Sequence, residues 1–372
     1  MTTFEKIANP WIAGQRPYQP GRPLEEVARE LGKADIAGIV KLASNENALG
    51  PSPKAMAAMR ECIGQMHLYP DGGAFYLRQA IARHYGISPD MTMLGCGCNE
   101  HAVLLAHAFM AEGDDLVVSE RSFVVYQLVA SLYRCGTVRV PMRDGATTDL
   151  EGMLAAIGPR TKLVVIGNPN NPTGTIVGQE AIDAYMERVP DHVVTVFDEA
   201  YMELLDPEEQ LDTIKHVKAG KKPVVTLRTF SKAYGLAGLR IGYAIAQPEC
   251  IGLLNKVRQP FNVNAMAQRA AIAALEDTQH LEATRAMLRA GRKQMLDGLR
   301  ALGLDPQPTK TNFIFVPFKR AGELAKAMER RDVIIRPLAG FGLPEHVRIG
   351  VGTEAENRQC LAALKGALEE LG

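Results

Sequence analysis

One lysine in this chain stands where an amine can do chemistry. Lys232 lies in the stretch Thr229-Phe230-Ser231-Lys232-Ala233-Tyr234-Gly235-Leu236-Ala237-Gly238-Leu239-Arg240, after the apolar run Pro223 to Leu227. A lysine amine condenses with aldehydes and ketones, and does so best when deprotonated. Thr229, Ser231 and Arg240 supply what a phosphate needs, two hydroxyl donors and a bidentate cation. Pyridoxal 5'-phosphate carries both the aldehyde and the phosphate. The plain alternative is a solvated lysine following a strand.

Other residues meet the same chemistry. Asp198 ends the apolar run Val193 to Phe197 and opens Asp198-Glu199-Ala200-Tyr201. A carboxylate at the buried end of a strand is costly unless paired. A protonated pyridine nitrogen would be such a partner, whereas a helix N-cap is the ordinary one. Gly95-Cys96-Gly97-Cys98-Asn99-Glu100 joins a short apolar strand (91–94) to an apolar helix (101–110). Free amides at a helix start make a phosphate cradle, though a tight turn needs the same glycines. A third glycine at dinucleotide-site spacing is missing. Phe123 follows the strand Asp115 to Val118, where a ligand ring could stack on it or where it could simply be core. Asn168-Pro169-Asn170-Asn171-Pro172-Thr173-Gly174 is a defined polar loop, whose asparagines can serve a ligand oxygen or close Asx-turns. Arg336 and Arg348 stand at strand ends beside Ala339-Gly340-Phe341-Gly342, as a plausible anion clamp.

These residues need a scaffold, and the chain is long enough for about two domains, with 372 residues. The formal net charge is zero, from 42 basic and 42 acidic residues, which argues against a nucleic-acid or anionic-membrane partner. Any cationic site must therefore be local. No apolar run approaches the roughly 20 residues that span a bilayer. Met1 to Pro20 lacks the apolar segment of a signal peptide. The six scattered cysteines read as reduced cytosolic thiols, without zinc-site spacing. A cytoplasmic enzyme without a metal is expected.

Short apolar strands alternate with helices up to Ala246, the pattern of a mostly parallel sheet flanked by helices. Strands are expected at 137–140, 162–166, 193–197 and 239–246, and helices at 53–63, 75–85, 150–157 and 179–188. Arg16 to Gly21 should be extended because of its prolines. Beyond Gln247 come a helix to Lys256, nearly continuous helix from Ala265 to Leu302, strands at 312–317, 333–336 and 347–351, and helices at 321–328 and 354–371. The expected division is an arm (1–40) packing with a smaller domain, a large domain (41–255) and a smaller α/β domain (256–372).

Taken together, these stretches resemble a known family. SNENALGPSP (44–53), YPDGGAFYLRQAIA (69–82), GCGCNE (95–100), NPNNPTG (168–174), FDEAY (197–201), RTFSKAYGLAGLRIGY (228–243), RQPFNVN (258–264) and VRIGVGT (347–353) are similar to those of fold-type I aminotransferases that use pyridoxal 5'-phosphate. More closely, from about Tyr18 to Leu371, the chain resembles the histidinol-phosphate aminotransferase family. The resemblance implies transfer of an amino group from L-histidinol phosphate to 2-oxoglutarate, in histidine biosynthesis. It implies a homodimer with a shared site.

Residue roles follow by the same resemblance. Lys232 would carry the cofactor and move protons. Asp198 would pair with the pyridine nitrogen, Asn171 and Tyr201 would bind the ring hydroxyl oxygen, and Phe123 would stack on the ring. The amides of Cys98 and Asn99, with Thr229, Ser231 and Arg240, would hold the phosphate, and Tyr69 would reach the neighbouring subunit's cofactor. Arg348 would bind the substrate carboxylate. Arg336, Tyr18 and Asn47 would lie near the substrate side chain. Two departures bear on substrate. Cys98 stands where the family usually has serine, and Phe123 is followed by Val124 and Val125, so members acting on aromatic amino acids are the alternative. A phosphothreonine-type decarboxylase and a non-catalytic regulator that binds the cofactor are further readings.

Overall fold

The computed structural model describes residues 2–15, 17–18 and 20–372. Seven strands form the main sheet: β2 (Thr92–Gly95), β3 (Asp115–Ser119), β4 (Gly136–Val140), β5 (Thr161–Gly167), β6 (Val194–Asp198), β7 (Val224–Thr229) and β8 (Gly242–Ala246), with β1 (Val40–Lys41) preceding them outside that sheet. The order across it is β2-β8-β7-β6-β5-β3-β4. All neighbours from β7 to β4 run parallel, and β8 runs antiparallel to both β7 and β2. Every residue of β7 and β8 is buried, as a strand covered on both faces requires.

A three-stranded antiparallel sheet holds β9 (Phe313–Pro317), β11 (Arg336–Pro337) and β12 (His346–Gly350), in the order β11-β12-β9, while β10 (Val333–Ile334) pairs in parallel with β1. This last pair fixes the segment before Ser44 against the C-terminal part of the chain. Arg22 adds an ion pair to Glu329 at 2.8 Å. These joints matter because the residues after β1 form one wall of the site.

The expected helices at 75–85, 179–188 and 354–371 appear with those bounds. Several expectations need correction. The 265–302 stretch is broken, into Ala265–Leu275 and Thr278–Ala301, because Asp277 accepts the His280 amide and starts a second helix. The strand expected at 333–336 is two strands, and that expected at 239–246 starts at Gly242 after a short turn of helix at Ala237–Leu239. The helix expected at 101–110 starts at Cys98, so the GCGCNE turn supplies its first turn. The arm also holds Thr3–Ile7 and Pro10–Ala13 as short helices. Of the Arg16–Gly21 segment, Arg16 and Gln19 lie outside the described residues, as does Met1.

Candidate active site

Parallel strands bring their carboxyl ends to one edge, and the site gathers there. Asn171 follows β5, Asp198 ends β6 and Thr229 ends β7. The reversed β8 contributes its start instead. Gly242 is in register with both Thr229 and Gly95, so Arg240 and the GCGCNE turn reach the same edge. The three-stranded sheet closes the other side through Arg336 and Arg348, which are register partners. Between them lies a cavity of about 400 Å³.

Lys232 projects from the turn after β7, with Nζ 3.2 Å from the Ser44 carbonyl oxygen. The turn is held by a Phe230 amide bond to the Ile241 oxygen, and by Gly235 at φ +69°. A Cβ at Gly235 would stand 2.1 Å from the Gly50 oxygen, so only glycine fits there. Loss of water around the amine, then the positive charge of Arg348, lower the Lys232 pKa to about 8, with Arg240 adding to the effect. That raises the fraction of nucleophilic free amine at neutral pH.

The phosphate-like wall is built from Cys98, Asn99, Thr229, Ser231 and Arg240, all of which line the cavity. Gly97 sits at φ +77°, and a Cβ there would meet Arg240 Nη2 at 2.7 Å. The turn is thus shaped to let the guanidinium lie over a helix start, which places a cation and first-turn amides together. The Cys98 thiol donates to the Arg228 oxygen at 3.3 Å, and burial pushes its pKa well up. The thiol is therefore an inert part of the wall, and the backbone amide remains for an anion.

Asp198 does not cap a helix. Its Oδ1 accepts the Ala200 amide at 3.3 Å, and its Oδ2 accepts the Tyr126 hydroxyl at 2.6 Å. Burial raises its pKa, and these two bonds and Lys232 oppose that. Asn171 and Tyr201 have their acceptor sites taken by the protein. Arg348 Nη1 donates to Asn171 Oδ1 at 2.6 Å, and Asn45 Nδ2 donates to Tyr201 Oη at 2.9 Å. The Asn171 amide nitrogen and the Tyr201 proton are thereby left as donors, and burial keeps Tyr201 neutral by lifting its pKa to about 12. Asn168 and Asn170 instead close the loop, through Val177, Arg121 and Thr173. Phe123 lines the cavity edge-on to Tyr126, at 6.2 Å between ring centroids.

On the opposite wall Arg348 is 6% exposed and also donates to the Ala43 oxygen at 3.0 Å. Burial lowers its pKa to about 10, and its hydrogen-bond partners among the described residues are the neutral oxygens of Asn171 and Ala43. The Phe341 ring lies between the two cations, 5.8 Å from the Arg336 guanidinium and 5.9 Å from that of Arg348. Tyr18 lines the same end. Four cationic side chains thus face two carboxylates, Glu46 and Asp198, among the described residues of the cavity, in a chain of zero net charge. Such a site suits a ligand with several negative charges.

Two expected site residues lie outside this cavity. Asn47 braces the scaffold by donating to the Ala233 oxygen and Thr284 Oγ1. Tyr69 is 83% exposed and stacks on Phe261 at 4.8 Å, at the molecular surface.

This arrangement has relatives. A family model for class I and II aminotransferases matches residues 37–364. The chain belongs to that family. As an aminotransferase it is 45% identical to a histidinol-phosphate aminotransferase from Akkermansia muciniphila, over 98% of this chain and 100% of the relative. It is 44% identical to one from Moorella thermoacetica, over 96% of this chain and 92% of the relative. The solved histidinol-phosphate aminotransferase from Sinorhizobium meliloti, in complex with pyridoxal-5'-phosphate, superposes with a TM-score of 0.88 at 30% identity, covering 98% of each chain. Aspartate aminotransferase from Thermus thermophilus, at 23% identity and a TM-score of 0.81 over 97% of this chain and 99% of that one, shares the fold alone. The fold is that of the fold-type I transferases: a mostly parallel sheet flanked by helices, with a smaller α/β part.

Sequence reasoning left some aminotransferase site residues without a role. Tyr126 and Asn45 both bond to site side chains, and Ser44 supplies the oxygen facing Lys232. Tyr126 had a usable signal, since it follows Phe123 by one helical turn.

Proposed function

We propose that this aminotransferase takes the amino group from L-histidinol phosphate, giving imidazole-acetol phosphate, and passes it to 2-oxoglutarate to form L-glutamate. The observation that carries the reading is the pair Arg336 and Arg348 on neighbouring strands across the cavity from Lys232, beside an aromatic ring. Arg348 is placed to bind the α-carboxylate of the 2-oxo acid, a group histidinol phosphate lacks, and Arg336 to bind a phosphate or a side-chain carboxylate. Phe341 and Tyr18 offer aromatic surface for an imidazole. The same surface would suit phenylalanine or tyrosine, which is the second reading.

The cofactor is pyridoxal 5'-phosphate, which when bound supplies an aldehyde that takes up amines and a ring that accepts electrons released at the α-carbon. The wall residues fit it: Arg240, Thr229, Ser231 and the amides of Cys98 and Asn99 for the phosphate, Asp198 for the ring nitrogen, Asn171 and Tyr201 for the ring oxygen, and Phe123 for the ring face. Lys232 Nζ takes the α-proton of the amino donor and, in the second half-reaction, gives a proton to the α-carbon of the 2-oxo acid. Its lowered pKa serves this exchange, since an amine near neutrality both accepts and returns a proton.

We further propose that two copies complete the site. The exposed Tyr69, with exposed Leu68, Phe75 and Phe261 nearby in sequence or space, suits a contact between subunits. The working division is an arm (1–40), a cofactor-binding part (41–255) and a smaller part (256–372), in the cytoplasm; among the described residues no helix is long and apolar enough to cross a membrane. Steady-state kinetics of Arg336→Ala test the substrate reading. The loss should fall on kcat/KM for histidinol phosphate, by about 10²-fold or more, and much less on phenylalanine. Equal losses would remove Arg336 as the phosphate-reading residue.

A further inference from the structure

The Tyr126 hydroxyl sits in a dry place, on a side chain 6% exposed, and its partner is Asp198 Oδ2 at 2.6 Å. A phenylalanine would fill the same space. The hydroxyl costs desolvation that only its bond to Asp198 offsets. We propose that Tyr126 is a positioning residue: it orients the Asp198 carboxylate toward the cofactor's ring nitrogen and keeps their shared proton on that nitrogen. This rests on the reading that Asp198 pairs with the ring.

The geometry supports both parts. Tyr126 grips one carboxylate oxygen and the Ala200 amide grips the other, so the carboxylate cannot rotate freely. Tyr126 comes from the first turn of the Val125–Leu132 helix, three residues after Phe123. One short segment thus presents an aromatic face to the ring and a hydroxyl to the carboxylate that meets its nitrogen. The other titratable groups around Asp198 are Lys232, Cys98 and Tyr201. Cys98 and Tyr201 stay neutral, because burial raises both. Tyr126 stays neutral for the same reason, so it donates rather than accepts.

In a dry pocket, a carboxylate beside a pyridinium competes with a neutral acid beside a neutral pyridine. Each hydrogen bond donated to the carboxylate favours the charged pair. Removing one donor makes Asp198 more basic, so the proton moves toward its oxygen and the ring loses its pull on electrons.

The test uses holoenzyme loaded with pyridoxal 5'-phosphate carrying nitrogen-15 in the ring, as wild type, Tyr126→Phe and Asp198→Ala. The wild-type nitrogen should resonate as a pyridinium. In Tyr126→Phe it should move toward neutral pyridine. The pH midpoint of the long-wavelength absorption band should rise by about one unit, because a nearby positive charge is weakened. The half-reaction with the amino donor should slow about tenfold with KM little changed. A slower reaction with an unmoved nitrogen resonance would reduce Tyr126 to packing and overturn the proposal. If Asp198→Ala moves the resonance and Tyr126→Phe does not, only the role of Tyr126 falls. If neither moves it, the pairing of Asp198 with the ring falls as well.

Discussion

Arg228 and Arg348 are both nearly inaccessible, at 3% and 6% exposure, yet their surroundings are opposite. Arg228 lies in β7 among acids. It pairs with Glu199 at 2.6 Å and Glu203 at 3.0 Å, and Thr213 bonds the far oxygen of Glu199 at 2.9 Å. Arg348 lies in β12 among neutral oxygens, those of Asn171 and Ala43, and its Nε is buried without a hydrogen-bond partner among the described residues. Its pKa is lowered where that of Arg228 is raised. A buried charge must be compensated. For Arg228 the chain supplies the compensation, so the residue ties β6 to β7 just behind Asp198 and Thr229. Under the function proposed above, a ligand anion would supply that compensation for Arg348.

The two residues should therefore fail in different measurements. Arg228→Met strands two buried carboxylates and should cost about 3–5 kcal/mol of stability in denaturant unfolding. The triple variant Arg228→Met, Glu199→Gln, Glu203→Gln should recover most of that loss. A single variant as stable as wild type would break the comparison.

Arg348→Ala should leave stability close to wild type, since it removes a charge that the protein does not balance. Its kcat/KM should fall by about 10²–10³-fold for 2-oxoglutarate, whose carboxylate it would bind, the scale for truncating one partner of a buried charge pair. A melting temperature many degrees lower would show that Arg348 is structural after all.

The smallest effect sharpens the electrostatics. Lys232 has its pKa lowered in the fold, so below about pH 8 its amine is mostly protonated. Capture of pyridoxal 5'-phosphate by the apoprotein, followed by absorbance, should accelerate as pH rises toward about 8 and level off above it. Stability from this group has the matching sign. The folded form binds fewer protons than the unfolded chain between about 8 and 10.5, so its contribution rises with pH across that window. Arg348→Gln removes a neighbouring positive charge and should move the capture midpoint upward. A downward move would contradict the assignment of Arg348 as a cause.

Particular residues show how far the sequence could be read. Lys232 and Asp198 stand beside apolar runs that read as buried strands, so their place at a sheet edge was legible, whereas Arg240, read into the strand 239–246, precedes it in a turn. The Val125–Leu132 helix was not legible, because its opening valines suit a strand as well as a helix. Tyr126 carried no reading of its own, because its partner Asp198 is brought to it only by folding. Asn45 could not be found locally, since its partner Tyr201 is 156 positions away and its own φ of +55° has no strong signature. Arg228 and Arg348 look alike in sequence, each within an apolar strand. Their difference lies in residues 199 and 203, which reach one of them and not the other only after folding.

On the proposed function, Lys232 and its wall would serve transamination of a phosphate-bearing amino donor. The direct measurement is a single half-reaction: mix holoenzyme with L-histidinol phosphate, or separately with L-phenylalanine, and follow the yellow band by stopped flow. The band should convert rapidly to the pyridoxamine-phosphate spectrum with histidinol phosphate and slowly with phenylalanine. Faster conversion by phenylalanine would contradict the substrate reading while keeping the catalytic one. A protein that shows no such band even with added pyridoxal 5'-phosphate would contradict the role of Lys232 itself.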